Sequence, residues 1–316
     1  MIRLLIFGQT YWGSHIARAI NQQATDVRAT FVRQGEYVRL LARPPRSDRL
    51  VIMRAGYRVG GTTLRGRLFD AYWALVRAAL ADAAPSHYWL GDDVMNTLRE
   101  AEAGTLRSGA LSSTRDELNI AAAPWLAREL KLVGIHAVTA YVPGVANHPP
   151  IAPLLPAEFR VLTYLPAAHF EFYGGDTILE VARRLPNIPF DVVANNGAAV
   201  RRAPSNIHWH GWVSDMAEAY KNATVVVRIP RHDAIGGTVV EGLLHARHII
   251  YTYEVPFVRR VFPATPEAVV DALKSLYARH VAGRLGLNIA GRAYALTEFD
   301  NYARTDRLIS LIRTIG

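Results

Sequence analysis

The chain of 316 residues contains no cysteine. Disulfides, thiolate metal sites and cysteine nucleophiles are therefore excluded. Lysine is scarce as well, because only Lys131, Lys221 and Lys274 occur among 36 basic residues. The resulting excess of arginine fits either a GC-rich genome or growth at high temperature, and the sequence does not separate the two.

Long apolar runs are also missing. No stretch approaches the roughly 18–20 apolar residues of a membrane span. Residues 1–8 (MIRLLIFG) are too short an apolar segment for a signal peptide and predict a first buried strand. We therefore expect a cytoplasmic protein. Its length and ordinary hydrophobic content predict about two domains, each able to bury a core.

The positive charge of the chain, +9 in all, has one dense region. Seven arginines lie between Arg43 and Arg67, against a single acidic residue, Asp48. Such a cluster fits a surface for an anionic membrane or an anionic acceptor, or simply a solvated arginine-rich face. Nucleic-acid binding is disfavoured, because no basic segment is interleaved with aromatic residues.

Apolar runs alternate with amphipathic stretches throughout the first half of the chain. The predicted strands are 2–7, 27–32, 50–53, 87–90, 109–112 and 137–141. The predicted helices are 14–21, 64–83, 94–103 and 121–133. Strands that alternate with helices of this length are typical of a parallel, doubly wound α/β sheet.

A proline-rich stretch then interrupts the pattern between Pro143 and Pro156, and it is the best candidate for a linker. The α/β alternation restarts beyond it. We predict strands at 160–165, 190–194, 207–209, 224–229 and 248–252, and helices at 175–185, 215–222, 237–246, 265–281 and 293–315. Ser214 is the expected N-cap of helix 215–222. The predicted domains are 1–150 and 151–292, followed by a C-terminal helix at 293–316.

The segment 225–244 (VVVRIPRHDAIGGTVVEGLL) is the most informative in the chain. A strand-like stretch precedes a loop that contains Asp233, and a helix opens at Gly236 and Gly237 with Glu241 about one turn in. Ligands of open α/β sheets bind beyond the carboxyl ends of strands. The N–H groups at a helix N-terminus suit a phosphate. Carboxylates for hydroxyls beside amides for phosphates predict a nucleotide-sugar site.

Asp233 and Glu241, with seven residues between them, resemble the acidic-x7-Glu signature of retaining glycosyltransferases with the GT-B fold, family 4 type. Three other segments occur in the order typical of that family. They are 88–94 (YWLGDDV), 126–145 with its LARELKLVGI and YVPGV portions, and 208–215 (HWHGWVSD). The resemblance implies two Rossmann-like domains that face each other across a cleft, with the last helix crossing back to the first domain.

The resemblance also implies roles for individual residues. Glu241 would bind the ribose hydroxyls and Asp233 the hydroxyls of the donor sugar, since a carboxylate accepts from two neighbouring hydroxyls. The alternatives are a helix-dipole role for Glu241 and a turn for Asp233. The diphosphate would lie against Gly236, Gly237 and Thr238, whose alternative is an ordinary loop-to-helix turn.

Two candidates lie in the first half. Gly13 follows the first strand, where the resemblance places donor phosphates and acceptor, although the run Gly8-Gln-Thr-Tyr-Trp-Gly13 is not a dinucleotide fingerprint. Asp92 and Asp93 follow a predicted strand. One of them would bind or deprotonate the acceptor and the other would cap the next helix, and the sequence does not decide which.

One feature departs from the family. Its members carry an arginine and a lysine after the first strand of the second domain, whereas here the only candidate cation of that loop is His169. Because a buried diphosphate needs compensating charge, we predict that Arg228 and Arg231 act with His169 in place of the missing pair. A different donor, or loss of catalysis, is the alternative.

The expected activity is retaining transfer of a sugar from a nucleotide diphospho-sugar to a hydroxyl acceptor. No bound metal is expected, because the histidines lack convincing ligand spacing and GT-B enzymes generally need none. Two other functions stay open. One is a non-catalytic GT-B module that binds a sugar nucleotide or a partner, and the other is a sugar-nucleotide epimerase, which turns over its donor without an acceptor.

Overall fold

The computed structural model describes residues 1–43, 45, 49–56, 64–143 and 154–315. The chain forms two units. The first comprises Met1–Gly144, His232–Ile235 and Asn301–Gly316, and the second comprises Val145–Arg231 and Gly236–Asp300. Most of the proline-rich stretch predicted as a linker lies outside the described residues.

A six-stranded parallel sheet forms the centre of the first unit. Its strands are β1 (Ile2–Gly8), β2 (Val27–Phe31), β3 (Leu50–Ala55), β4 (Ala84–Trp89), β5 (Leu118–Ala121) and β6 (Ala137–Thr139). They pair in the order β2-β1-β3-β4-β5-β6. Every residue of β3 is buried, as expected for a parallel sheet with helices on both faces.

Helices connect these strands. They are α1 (Thr10–Gln23), α2 (Tyr37–Ala42), α3 (Leu64–Ala79), α4 (Asp92–Glu102), α5 (Ser108–Arg115) and α6 (Pro124–Leu132). The final helix of the chain, α12 (Asn301–Ile315), belongs to the same unit and packs on α1. It buries an apolar stripe that includes Leu308, Ile309 and Ile312, whose spacing is that of one helix face.

The second unit contains another six-stranded parallel sheet. Its strands are β7 (Val161–Tyr164), β8 (Phe190–Val193), β9 (Ile207–Gly211), β10 (Val225–Arg228), β11 (His248–Tyr251) and β12 (Arg259–Arg260). Their order is β12-β11-β10-β7-β8-β9. From β7 the chain proceeds toward one edge and from β10 toward the other, so the direction of winding reverses between these two neighbouring strands.

The helices of the second unit are α7 (Gly175–Arg184), α8 (Ala217–Asn222), α9 (Gly237–Leu244), α10 (Pro266–Val281) and α11 (Ile289–Glu298). Local sequence explains where α10 begins. The hydroxyl of Thr265 accepts a hydrogen bond from the amide of Ala268, and Pro266 occupies the first helical position, where its missing N–H costs nothing.

The predicted alternation of strands and helices is confirmed, although some elements were predicted wrongly. Residues 109–112, predicted as a strand, lie in α5, and strand β5 was not predicted. The segment 293–315 was predicted as one helix but is interrupted between α11 and α12. Ser214 is not the N-cap of α8, because that helix begins at Ala217, whose amide binds the Asp215 carboxylate at 2.9 Å.

The arginine cluster between Arg43 and Arg67 lies partly outside the described residues. Arg54, one of its described members, is only 2% exposed. It donates to the buried Glu117 carboxylate at 2.7 Å and to Thr114 Oγ1 at 3.1 Å. Arg54 is therefore an interior residue, and the prediction that it belongs to a surface patch is wrong.

A helix that crosses a lipid bilayer is both long and apolar. None of the helices in the described ranges combines these two properties.

Candidate functional site

The reversal of winding between β7 and β10 marks a place in the second unit where a ligand is expected. The helices that follow the two strands lie on opposite faces of the sheet. Ile178 of α7 packs in one cluster with Val225, whereas a Cβ added to Gly242 of α9 would meet Val226, the next residue along β10. Because successive strand residues point to opposite faces, the loops beyond β7 and β10 separate and leave a crevice between them.

Arg228, the last residue of β10, lies beside the N-terminus of α9. Its side chain is only 8% exposed. The guanidinium carbon lies 5.1 Å from the ring centroid of Tyr173 and 5.9 Å from that of Tyr164, within the range of cation–π attraction. Nη1 donates to Thr238 Oγ1 at 3.4 Å. The strand, two tyrosines and the helix start thus fix one cation at this point.

Gly236 is a glycine because of this arginine. A Cβ at position 236 would lie 2.0 Å from Arg228 Nε and 2.5 Å from its Cζ. The backbone angles do not require glycine at this position, because φ is −67° and ψ is 137°. A positive φ is therefore not the reason for glycine at position 236.

The start of α9 is open beyond Gly236. Its backbone hydrogen bonds begin with the amide of Val239, which donates to the Gly236 carbonyl at 2.9 Å. The amides of Gly237 and Thr238 precede that bond, at the end of the helix where the partial positive charge is concentrated. Gly237 is exposed, and the nearest atom to a Cβ there would be Glu241 Oε1 at 3.7 Å. A diphosphate fits this combination of amides and a neighbouring guanidinium.

Glu241 lies one turn into α9, as predicted. Its Oε2 accepts a hydrogen bond of 2.6 Å from the hydroxyl of Tyr220, a residue of α8. Burial raises the pKa of Glu241 above its ordinary value, and the hydrogen bond from Tyr220 and the charge of Arg228 offset this rise only in part. The carboxylate is thus partly desolvated and held from a neighbouring helix, beside a cation.

The other two predicted cations lie in exposed positions of the second unit. Arg231 is 61% exposed in its side chain and pairs with Glu171, which is also exposed, at 3.6 Å. His169 is exposed in the short 3-10 turn Ala167–His169. Of the three, Arg228 is the one that the structure brings to the start of α9, and roles for Arg231 and His169 stay predictions.

Asp233 belongs to the first unit, whereas Glu241 belongs to the second. The Asp233 carbonyl accepts a hydrogen bond of 2.7 Å from Trp125 Nε1. The neighbouring His232 lies with Nε2 2.9 Å from the Glu129 carboxylate. These contacts account for the backbone position of Asp233, and its role with a donor sugar stays a prediction.

The two aspartates that follow β4 differ in burial and in hydrogen bonding. The Asp93 carboxylate is buried and accepts hydrogen bonds from the amides of Leu90, Gly91 and Val94, at 2.8–3.1 Å. It therefore closes the turn that leads into α4. Asp92 is exposed in the first turn of the same helix, and its contact with an acceptor stays a prediction.

The stability of the protein is expected to depend on pH through Asp93. Burial raises the pKa of this carboxyl from 3.8 to about 7, although its backbone hydrogen bonds lower it. The folded state thus binds the proton more tightly than the unfolded chain does, so the free energy of unfolding falls as the pH rises through that interval. Asp93→Asn removes the dependence. Relative to the wild type, the free energy of unfolding of the variant should rise by roughly 2 to 4 kcal/mol from about pH 4 to about pH 8.

Urea denaturation of the wild type and Asp93→Asn at both pH values measures this difference. The neighbouring His87, whose Nε2 lies 3.9 Å from the Asp93 carboxylate, is present in both proteins. Asp82→Asn, which removes an exposed carboxylate, is the matched control and should follow the wild type. Parallel pH profiles for the wild type and Asp93→Asn would contradict the assignment.

Gly13 has a structural explanation of its own. It lies in α1, and a Cβ at this position would come within 2.4 Å of Phe31 Cδ2. The glycine therefore lets α1 pack closely against β2. A contact of Gly13 with donor phosphates stays a prediction.

Metal ligands are the last chemical feature to place. In the ranges that the structure describes, no group of three histidine, cysteine or acidic side chains is arranged to hold an ion. Two of the histidines considered from the sequence instead lie against single carboxylates, His210 on Asp191 at 2.7 Å and His232 on Glu129 at 2.9 Å.

Sequence reasoning missed three aromatic residues of the site. Tyr164 ends β7, so its position at a strand's carboxyl end was a usable signal. The sequence contains no comparable signal for Tyr173 and Tyr220, because their contacts with Arg228 and Glu241 join residues far apart in the chain.

No protein-family profile and no curated protein sequence matches the chain. The fold, in contrast, matches solved structures. Anabaena HepE in complex with UDP-glucose has a TM-score of 0.67 and 12% sequence identity, over 99% of this chain and 100% of that one. Sucrose-phosphate synthase from Thermosynechococcus elongatus has a TM-score of 0.70 and 12% identity, over 99% of each chain.

A third structure is larger than this protein. TarM of S. aureus, solved in complex with fondaparinux, alpha-GlcNAc-glycerol and UDP, has a TM-score of 0.63 and 8% identity. The match covers 87% of this chain and 58% of TarM, so this chain spans little more than half of that protein. Together the similarities show that the chain has the GT-B fold, which confirms the predicted fold class.

Proposed function

We propose that this protein is a retaining glycosyltransferase, independent of metal, that transfers a sugar from a nucleotide diphospho-sugar to a hydroxyl acceptor. One observation carries the proposal. At the point where the winding of the second sheet reverses, a buried arginine lies beside an open helix N-terminus, and a partly buried glutamate lies one turn into that helix. A nucleoside diphosphate presents the matching groups, two phosphates beside a ribose.

The proposed chemistry follows from the charges. When the bond from sugar to phosphate breaks, negative charge develops on the leaving diphosphate, and the Arg228 guanidinium with the amides of Gly237 and Thr238 stabilises it. In the retaining mechanism the acceptor hydroxyl attacks the face from which the diphosphate departs, and a diphosphate oxygen takes its proton. Glu241 holds the ribose. The roles of Asp233 with the donor sugar and Asp92 with the acceptor are part of the proposal and rest on the sequence resemblance.

UDP-sugars are the donors to test first. HepE was solved with UDP-glucose, and TarM with UDP. These ligands are properties of those proteins, which share the fold of this chain at 12% and 8% identity. They motivate the order of the experiments and do not fix the nucleotide.

A non-catalytic sugar-nucleotide-binding module is the second candidate, and one observation favours it. The loop after β7 supplies neither the arginine nor the lysine typical of the family, and its single cation, His169, is exposed. Turnover separates the candidates. A transferase consumes donor only when an acceptor is added, an epimerase converts donor without one, and a binding module does neither.

Calorimetric titration of UDP, GDP, ADP and TDP tests the site. We expect one of these nucleotides to bind with micromolar affinity, and Glu241→Ala to weaken it roughly tenfold to hundredfold, because hydrogen bonds to a charged carboxylate are lost. Glu180→Ala removes an exposed carboxylate of α7 and should leave affinity unchanged. Failure of all four nucleotides to bind would overturn the proposed function, and equal losses in both variants would overturn the role of Glu241.

A further inference from the structure

The contact between Tyr220 and Glu241 joins two helices of the second unit. Tyr220 is 1% exposed, and its hydroxyl donates to Glu241 Oε2 at 2.6 Å. Oε1 points elsewhere, since it is the nearest atom, at 3.7 Å, to the position of a Cβ at the exposed Gly237. The two carboxylate oxygens therefore differ in surroundings. One is anchored in the interior, and the other faces the open start of α9.

The anchoring hydroxyl is itself fixed. The Tyr220 ring stacks on the His245 ring, with 5.0 Å between centroids and 25° between planes. Because a phenol ring rotates about only two side-chain bonds, burial and stacking leave its hydroxyl one direction. Its proton points to the carboxylate, since an ionised carboxylate is an acceptor only.

We propose that Tyr220 is a positioning residue, which holds the Glu241 carboxylate turned with Oε1 toward the ribose of the bound nucleotide. The tyrosine touches neither the nucleotide nor the reacting atoms and acts through Glu241. For its effect on nucleotide binding the inference rests on the proposed function. For its effect on the carboxyl group it rests on the geometry alone.

The charged groups around the pair support this assignment. Arg228 approaches Glu241 from β10 and stabilises the carboxylate. Burial, together with the charges of Arg247 and Arg292, lowers the pKa of His245 to about 4, against the opposing influence of Asp215. The ring that stacks on Tyr220 is therefore neutral near neutral pH.

The other titratable groups beside α9 keep their charge state near neutral pH. Arg292, on the packed helix α11, donates to the Leu244 carbonyl at the other end of α9. Burial lowers its pKa, like that of Arg247, below the ordinary arginine value. Burial and Glu241 raise the pKa of Tyr220 well above 10, so its hydroxyl keeps the proton that it donates.

Tyr220→Phe is the decisive change, since it deletes the hydroxyl and keeps the buried ring and its stack on His245. The pKa of Glu241 should then rise by about one pH unit, because a bond that favours the ionised carboxylate is gone. Carbon-13 NMR of protein labelled at the glutamate carboxyl carbons measures this titration without any nucleotide. Glu241→Gln identifies the resonance by its disappearance.

UDP titrations from about pH 5 to about pH 8 give the second readout. The affinity of Tyr220→Phe should fall on acidification at a pH about one unit above that of the wild type, since a protonated carboxyl is the weaker acceptor. Tyr277→Phe, which deletes the hydroxyl of a half-buried tyrosine on α10, should match the wild type in both experiments.

The Glu241 titration and the pH profile of UDP binding test different parts of the inference. An unchanged Glu241 titration in Tyr220→Phe would overturn the positioning role, whatever the affinity for UDP. A shifted titration in a protein that binds no nucleotide would leave the positioning role in place and overturn the proposed function. If the titration shifts while the pH profile of UDP binding does not, the carboxylate does not serve the ribose and the inference fails for binding.

Discussion

Arg228→Met is expected to weaken UDP binding by roughly 30- to 1000-fold, the loss that accompanies removal of one well-placed donor to an anion in a desolvated site. Methionine fills most of the volume of the arginine stem but carries no charge. Calorimetry with UDP measures the affinity, and thermal unfolding measures whether the second unit stays folded.

The same substitution should not destabilise the folded protein strongly. A cation that is 8% exposed and has aromatic rings as neighbours lies in a costly environment before an anion arrives. Apolar side chains of similar volume often replace such groups at little cost, and sites built for function commonly sacrifice stability. We therefore expect Arg228→Met to lose affinity for UDP and to keep the stability of the wild type.

Two further variants decide whether position or charge matters. Arg231→Ala removes a neighbouring cation that is 61% exposed and already paired with Glu171, so UDP affinity should change less than about threefold. Arg228→Lys keeps the charge but loses the planar fork, and its affinity should lie between those of the wild type and the methionine variant. UDP binding that survives Arg228→Met intact would show that this arginine does not replace the missing arginine and lysine.

The contrast between Arg228 and Arg231 shows what sequence can supply. Both flank the acidic motif, and both were predicted to bind the diphosphate. Strand alternation distinguishes them in retrospect, because Val225 and Val227 face the cluster that includes α7, whereas Val226 and Arg228 face α9. Arg231 lies beyond the strand, where alternation carries no information.

Other features were out of reach for physical reasons. Strand β5 has four residues, LNIA, and only Ala122 and Ala123 separate it from α6, so no periodicity distinguishes it from a helix. The pairing of Tyr220 with Glu241 depends on how two helices pack, which spacing along the chain does not encode. The apolar run that forms β1 was predicted correctly, because its burial requires nothing beyond composition.

Gly236→Ala is expected to cost both UDP binding and stability, by way of Arg228. The backbone angles at position 236 suit alanine, so strain in the main chain is not the cause. The added methyl group would lie 2.0 Å from Arg228 Nε, and the guanidinium would have to leave its place between Tyr164, Tyr173 and Thr238. We expect a loss of UDP affinity at least as large as in Arg228→Met, with a fall in thermal stability of about 1 to 3 kcal/mol.

A double variant distinguishes this contact from a general intolerance of the turn. In Gly236→Ala combined with Arg228→Ala the obstructing guanidinium is absent, so the added methyl group should cost far less stability than in the wild-type background, while UDP binding stays lost. Gly237→Ala is the matched control for stability, because a Cβ there has room and alanine suits a helix start. Equal destabilisation by Gly236→Ala with and without Arg228 would mean that the glycine serves the turn itself. The cation and the helix start would then be independent features rather than the two halves of one anion site.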